Sequence, residues 1–219
     1  MAATGPGVPP RGIIRQGTPS KIVAVGLNYR SHARELGMAV PREPILFLKP
    51  PSAVIGNGDA IELPAGVGRV DYEAELAVVI GKTARGVTVD EAHEYILGYI
   101  CANDVTARDL QEEDGQWTRA KSFDTFCPLG PEPESAAPES DALVELVLNG
   151  EVRQSAPVSD MIFSPTELVA FISSVMTLER GDVIITGTPP GVGLLTAGDR
   201  VTVRIGGVGE LSNFVSAAH

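Results

Sequence analysis

The segment DYEAELAVVIG, residues Asp71 to Gly81, carries the pattern on which the rest of the chain is read. From Leu76 to Ile80 it is apolar at every position, rich in Val, and closed by Gly81. Such a run predicts a strand buried on both faces. Side chains alternate along a strand, so Glu73 and Glu75 point to one side, followed there by Ala77 and Val79. Two carboxylates so close and so buried do not both stay ionised unless a cation lies between them. The same spacing also suits the solvated face of an edge strand.

A second apolar run, Tyr95 to Ala102, ends in Asn103-Asp104 and offers a third carboxylate at the end of a core strand. Glu73, Glu75 and Asp104 together make an all-oxygen set suited to a hard divalent cation: Mg²⁺, Mn²⁺ or Ca²⁺. No Cys/His spacing points to zinc.

Composition narrows the class of protein. The chain has 219 residues, 43% of them hydrophobic, which is enough for a sizeable core without disulfides. The formal net charge is −11, which argues against a nucleic-acid or anionic-membrane partner but not against an anionic substrate held locally. The two cysteines, Cys101 and Cys127, form no disulfide framework, which fits a reducing compartment. The N-terminal residues lack the apolar stretch of a signal peptide, and the apolar helix candidate at Leu168 to Leu178 is too short to cross a bilayer. A soluble, cytoplasmic protein is expected.

Residues 1–20 are rich in Gly and Pro and read as a flexible arm; residues 21–219 read as one domain. A strand at Ile22 to Val25 leads to a helix from Tyr29 to Leu36, capped by Asn28 and stopped by Gly37. On it His32 and Glu35 are neighbours, suited to a base with its orienting carboxylate or to an ordinary surface pair. Ile45 to Leu48 is a strand closed by Lys49. Thr88 and Glu91 make a capping box. The stretch VTARDLQEEDG reads as helix up to Gly115, with Arg108 next to Gln111 and one turn from Asp104. Residues 117–130, with Lys121, have no clear period. Lys49 and Lys121 suit an anionic substrate, or plain solvation.

Leu143 to Leu148 is a strand turned into a hairpin by Asn149-Gly150. The clearest helix runs from Ser164 to Arg180, with Pro165 at its first position, Glu167 completing a capping box and Gly181 after it. Its apolar stripe is Leu168, Phe171, Ile172, Val175 and Met176. After the strand at Val183 to Thr186, the loop GTPPGVG (187–193) is either a tight turn or a cradle in which backbone N–H groups and the Thr188 hydroxyl hold a carboxylate. Strands outnumber helices without alternating with them, so the fold class is α+β with a mixed or rolled sheet.

Taken together, VGLNYRSHARE, LFLKPPSAVIG, DYEAELAVVIGK, YICANDVTARDLQ, AKSFDTFCPLGP, LNGEVRQ and MIFSPTELVAFISSVMTLERGDVIITGTPPGVG resemble, in order, the fumarylacetoacetate hydrolase family. The resemblance spans roughly Lys21 to Val215. It implies a rolled mixed β fold, a homodimer, and Mg²⁺ or Mn²⁺ on Glu73, Glu75 and Asp104. It implies a His32–Glu35 dyad on a lid segment, an active-site Lys121, and substrate contacts from Arg108, Gln111 and Thr188. Some short members have Arg where this chain has Leu27, which bears on specificity.

The activity implied is metal-dependent hydrolysis of a C–C bond in acylpyruvate-type 2,4-dioxo acids through a metal-bound enolate, as in aromatic compound catabolism. The same electron sink serves an oxaloacetate decarboxylase or tautomerase, or a 2-hydroxyhepta-2,4-diene-1,7-dioate isomerase. A non-catalytic metal-binding protein on this fold is the rival from another class. It predicts an incomplete site, whereas the metal and dyad positions are all filled.

Overall fold

The computed structural model describes residues 18–217. In chain order its strands are β1 (Ile22–Gly26), β2 (Ile45–Lys49), β3 (Val54–Ile55), β4 (Ala60–Leu63), β5 (Val70–Tyr72), β6 (Ala74–Ile80), β7 (Ile96–Asn103), β8 (Thr106–Ala107), β9 (Cys127–Pro128), β10 (Leu143–Leu148), β11 (Glu151–Pro157), β12 (Val183–Ile185), β13 (Gly193–Leu194), β14 (Arg200–Ile205) and β15 (Gly209–Ala217). The helices are α1 (Arg30–Glu35), α2 (Val89–Ala92), α3 (Arg108–Asp114), α4 (Thr118–Lys121) and α5 (Pro165–Val175).

Two five-stranded sheets carry the fold, in the orders β2-β1-β12-β6-β7 and β11-β10-β14-β15-β4. Each is mixed: β1 runs parallel to β12 and β15 parallel to β4, and the other neighbours are antiparallel. All seven residues of β6 are buried, as its unbroken apolar run predicts. Leu76, Val78 and Ile80 face a core shared with Val144, Leu146, Val203 and Ile205 of the second sheet. Ala77 and Val79 face a smaller core with Ile22, Ala24, Ile100 and Ile185. Glu75 belongs to that second face by alternation. The α+β class with mixed sheets and short helices is therefore the observed one.

Several local expectations change. Asn28 does not cap α1: its amide donates to Thr186 O (2.7 Å) and Phe163 O (3.0 Å), tying the end of β1 to two later segments. The cap comes instead from Asp160, distant in sequence, whose carboxylate accepts the Ser31 N–H at 2.9 Å. At the other end Gly37 takes φ +64, and Met38 N donates to Ala33 O at 2.9 Å, closing a Schellman turn as read from the sequence.

The helix beginning near Asp104 starts later, at Arg108, because Thr106–Ala107 pair with β5 as a strand. Asp104 and Arg108 are therefore not one helical turn apart. Residues 117–130 are not wholly irregular, since Lys121 closes the short helix α4. Helix α5 ends at Val175, short of Arg180, because Leu178 leaves the helix to pair with Ala84. Val175 is correspondingly exposed rather than part of the stripe. Of the expected arm, residues 1–17 lie outside the described residues; Ser20 is docked on Asp182 through both its N–H (3.0 Å) and its hydroxyl (2.7 Å).

Candidate active site

The pairing of β6 with β7 sets Ala74 opposite Asn103, and Asp104 N donates to Glu73 O at 2.8 Å. Two strand ends distant in sequence thus deliver Glu73, Glu75 and Asp104 to one spot. Each of the three offers a carboxylate oxygen within 4.8 Å of the others, and all are buried. Glu73 sits in a break between β5 and β6, where its N–H is held by Asn103 Oδ1 at 2.9 Å.

Three cations surround the trio. Lys121 Nζ donates to Asp104 Oδ2 (2.6 Å) and Glu73 Oε2 (2.8 Å). Lys49 Nζ donates to Asp104 Oδ1, so Lys49 is a fully buried ion-pair partner rather than a solvated lysine. Arg108 donates from Nη2 to Glu73 Oε1 (2.6 Å), from Nε to Asp71 Oδ2 (3.0 Å) and from Nη1 to Gln111 Oε1 (2.5 Å). Burial opposes the charge on Glu73, but Lys121 and Arg108 outweigh it and hold its pKa down at about 2. Burial likewise opposes the charge on Lys121, and Asp104 and Glu73 outweigh it, raising the ammonium pKa.

Glu75 differs from its neighbours. Its only polar contact among the described residues is the Gly187 N–H at 2.5 Å. Burial first, then the charges of Asp104 and Glu73, push its carboxyl pKa well above the ordinary range. A buried carboxylate next to two others, with no cation of its own, is the environment a divalent cation with oxygen ligands compensates. The donor set fits such an ion. Gly187 can come this close because it has φ +95 and no side chain: a Cβ there would lie 2.7 Å from Asn28 Cβ.

His32 is buried on α1, with Nδ1 2.8 Å from Glu35 Oε2; the other Glu35 oxygen accepts the Gly191 N–H at 3.1 Å. His32, the trio, Lys121, Arg108, Gln111 and Thr188 all line one cavity of about 320 Å³. The structure therefore brings eight of the nine expected site residues to a single cavity, with Glu35 behind His32. Thr188 donates its hydroxyl hydrogen to Ala74 O (2.9 Å), so a substrate carboxylate would compete with the protein for it. Gln154 is not marked by sequence reading, although it ends the motif LNGEVRQ. Fully buried on a mostly exposed strand, it accepts from Ala74 N (2.8 Å) and donates to Thr188 Oγ1 (2.8 Å) and Pro189 O (2.7 Å). The polar side chain itself, between alternating exposed neighbours, gives no sign of this in the sequence.

Comparison with known proteins agrees with this architecture. Residues 21–216 match the family model described as fumarylacetoacetate (FAA) hydrolase C-terminal. An uncharacterized protein of Methanocaldococcus jannaschii is 55% identical, over 92% of this chain and 85% of its own. The mitochondrial oxaloacetate tautomerase FAHD1 of Arabidopsis thaliana is 46% identical, over 91% of each chain. Among solved structures, a 5-carboxymethyl-2-hydroxymuconate delta-isomerase from Mycobacterium smegmatis superposes with a TM-score of 0.88 at 45% identity, covering 99% of this chain and 87% of that one. A fumarylpyruvate hydrolase from Pseudomonas aeruginosa, in complex with Mn²⁺ and pyruvate, gives 0.85 at 35% identity, covering 100% of each. The buried acidic trio, the two packed mixed sheets and these matches over nearly the whole chain lead to one assignment: the protein belongs to the fumarylacetoacetate hydrolase family.

Proposed function

We propose that this protein is a divalent-metal-dependent enzyme acting on 2-oxo acids with a second carbonyl, and that its principal reaction is hydrolysis of the C3–C4 bond of acylpyruvates. The observation that carries the reading is the presence in one cavity of a buried three-carboxylate set and of His32, whose ring is hydrogen-bonded to Glu35 behind it. Glu73, Glu75 and Asp104 would hold the cation, Mg²⁺ or Mn²⁺. Once bound, it supplies Lewis acidity for the negative charge that develops on the 2-oxo oxygen as the bond at C3 breaks.

The protein's own groups do the proton work. Glu35 accepts the Nδ1–H of His32, which leaves Nε2 with a free lone pair. Nε2 takes a proton from water, the water oxygen adds to the C4 carbonyl, and C3–C4 breaks. The imidazolium then returns its proton to C3, so a carboxylic acid and pyruvate leave. Lys121 has three N–H donors and spends two on Asp104 and Glu73, so the third is free for a substrate oxygen. Lys49 pairs with Asp104 and Arg108 with Glu73, and Asp71 and Gln111 hold the guanidinium in place.

Oxaloacetate tautomerisation is the second reading, favoured by the 46% identical Arabidopsis relative. It needs proton transfer at C3 and no attacking water, so the same His32 would serve. The homodimer implied by the family resemblance belongs to this proposal and is open to light scattering. The deciding assays are pyruvate release from acetylpyruvate and from oxaloacetate, each with Mg²⁺ and with EDTA, and keto–enol exchange of oxaloacetate under the same conditions. Metal-dependent release from acetylpyruvate supports the hydrolase. Keto–enol exchange of oxaloacetate with no release from acetylpyruvate would replace it with the tautomerase.

A further inference from the structure

The cavity is polarised from end to end. Its charged end is deep: Glu75 and Lys121 are 2% exposed and Asp104 is 0% exposed. The apolar part of its lining is Val25, Leu27, Leu36, Met38, Ile45, Phe47 and Trp117. Phe47 is where the two ends meet, because Lys121 Nζ lies 5.0 Å from the centre of its ring. The Trp117 ring stands edge-on to Phe47 at 5.2 Å. It fits there because residue 26 is Gly: a Cβ at that position would lie 2.8 Å from the indole. Leu36 and Met38 are each 52% exposed and Ile45 is 39% exposed, so the apolar end is the open one.

The lysines and arginines lining the cavity are Lys121 and Arg108, both already on carboxylates of the protein. His32 is on Glu35, and Glu112 adds one more carboxylate to the lining. A substrate carboxylate at the far end would leave water for an apolar wall, in a cavity whose lysine and arginine are already on protein carboxylates. An alkyl or alkenyl tail would bury there with no such cost.

We infer that the wall formed by Leu27, Leu36, Met38, Ile45, Phe47 and Trp117 is a tail-binding subsite that selects 2-oxo acids with an uncharged, apolar group beyond C4 over dicarboxylic ones. This rests on the proposed binding of a 2-oxo acid head at the acidic trio. The head sits in the charged depth of the cavity and the tail lies along the wall towards solvent.

Calorimetric titration of the Mg²⁺-loaded protein with non-cleavable 2-oxo acids tests this without turnover. Dissociation constants are expected to fall about fourfold for each methylene added from 2-oxobutyrate to 2-oxooctanoate. 2-Oxoadipate and 2-oxosuberate should bind at least tenfold more weakly than 2-oxohexanoate and 2-oxooctanoate. Ile45→Arg, at a half-exposed edge-strand position, should narrow that gap by tenfold or more. Affinity independent of tail length, or diacids binding as well as monoacids, would overturn the subsite. A flat series beside metal-dependent pyruvate release overturns the subsite alone. A graded series with no release from any acylpyruvate supports the subsite and removes the hydrolase reading instead. Absence of binding by every acid overturns both.

Discussion

Gly187 N donates to Glu75 Oε2 at 2.5 Å, and Glu75 has no cationic side chain on it among the described residues. Its neighbours in the trio do: Glu73 and Asp104 share Lys121. The loop after β12 thus touches the metal candidate site through a backbone amide, at the one carboxylate of the trio with no lysine or arginine hydrogen-bonded to it among the described residues.

Glu75→Gln replaces a buried carboxyl whose ionisation costs free energy until a cation compensates it. Without metal, the variant should melt at or above the wild-type temperature. Mg²⁺ at about 100 times its Kd should stabilise the wild type by about 2.7 kcal/mol, and the variant should lose most of that shift together with turnover. Melting scans with EDTA and with Mg²⁺ check this. A variant that is less stable in EDTA yet keeps the full Mg²⁺ shift would take Glu75 out of the metal set.

Lys121→Met removes the cation that Glu73 and Asp104 share, leaving Glu73 to Arg108 and Asp104 to Lys49. Breaking a buried ion pair from one side typically costs about 3–5 kcal/mol. That loss is expected in urea unfolding with EDTA, with partial recovery when Mg²⁺ is added. A loss under about 1 kcal/mol would mean that Lys49 and Arg108 compensate the trio without Lys121.

The Glu73/Glu75 spacing, the buried β6 and the Asp104 strand end were legible because periodicity 2 and an apolar run state burial directly. The two capping boxes, at Thr88 and Ser164, were legible because a cap is local chemistry, and both form. What the sequence could not carry was non-local. Asn28 looks like a cap, yet its amide is worth more bridging Phe163 and Thr186 while Asp160 caps α1 from 129 residues away. Lys49 reads as solvated because only the fold brings Asp104 to it. Gln154 matters through three hydrogen bonds to segments on either side of it in sequence, and no local pattern encodes them. The family resemblance, not the spacing, was what united His32, Lys121 and the trio ahead of the structure.

Asp182 anchors the start of the described chain. Its buried carboxylate accepts Ser20 N (3.0 Å), Ser20 Oγ (2.7 Å), Lys21 N (3.1 Å) and Glu179 N (2.8 Å), and it pairs with Lys21 Nζ. Burial works against its charge, but the bonds from Lys21, Ser20 and Glu179 prevail and lower its pKa. With the folded pKa depressed, the unfolded chain binds more protons in acid. The stabilisation is therefore present above the ordinary carboxylate pKa of about 3.9 and fades as pH falls through the folded value. Asp182→Asn should cost about 1–3 kcal/mol at pH 7, and the gap to wild type should shrink below about pH 4. Denaturation at a series of pH values reads both; a gap that is constant with pH would mean the loss is packing and not charge.

His32 and Glu35 separate the candidate reactions. Hydrolysis needs a base for water, and removing a general base typically costs 10²- to 10⁴-fold. Oxaloacetate decarboxylation loses CO₂ with no attacking water, so it leans on the acidic trio and much less on His32. His32→Ala should therefore reduce acetylpyruvate hydrolysis by about 10²- to 10⁴-fold, and oxaloacetate decarboxylation by under about tenfold. Glu35→Gln keeps a hydrogen-bond acceptor for Nδ1 but not the charge that stabilises the imidazolium, and should fall between wild type and His32→Ala on hydrolysis. Both rates measured on each variant, under the same Mg²⁺ concentration, decide the matter. Equal losses on the two substrates would mean that His32 shapes the cavity rather than activating water.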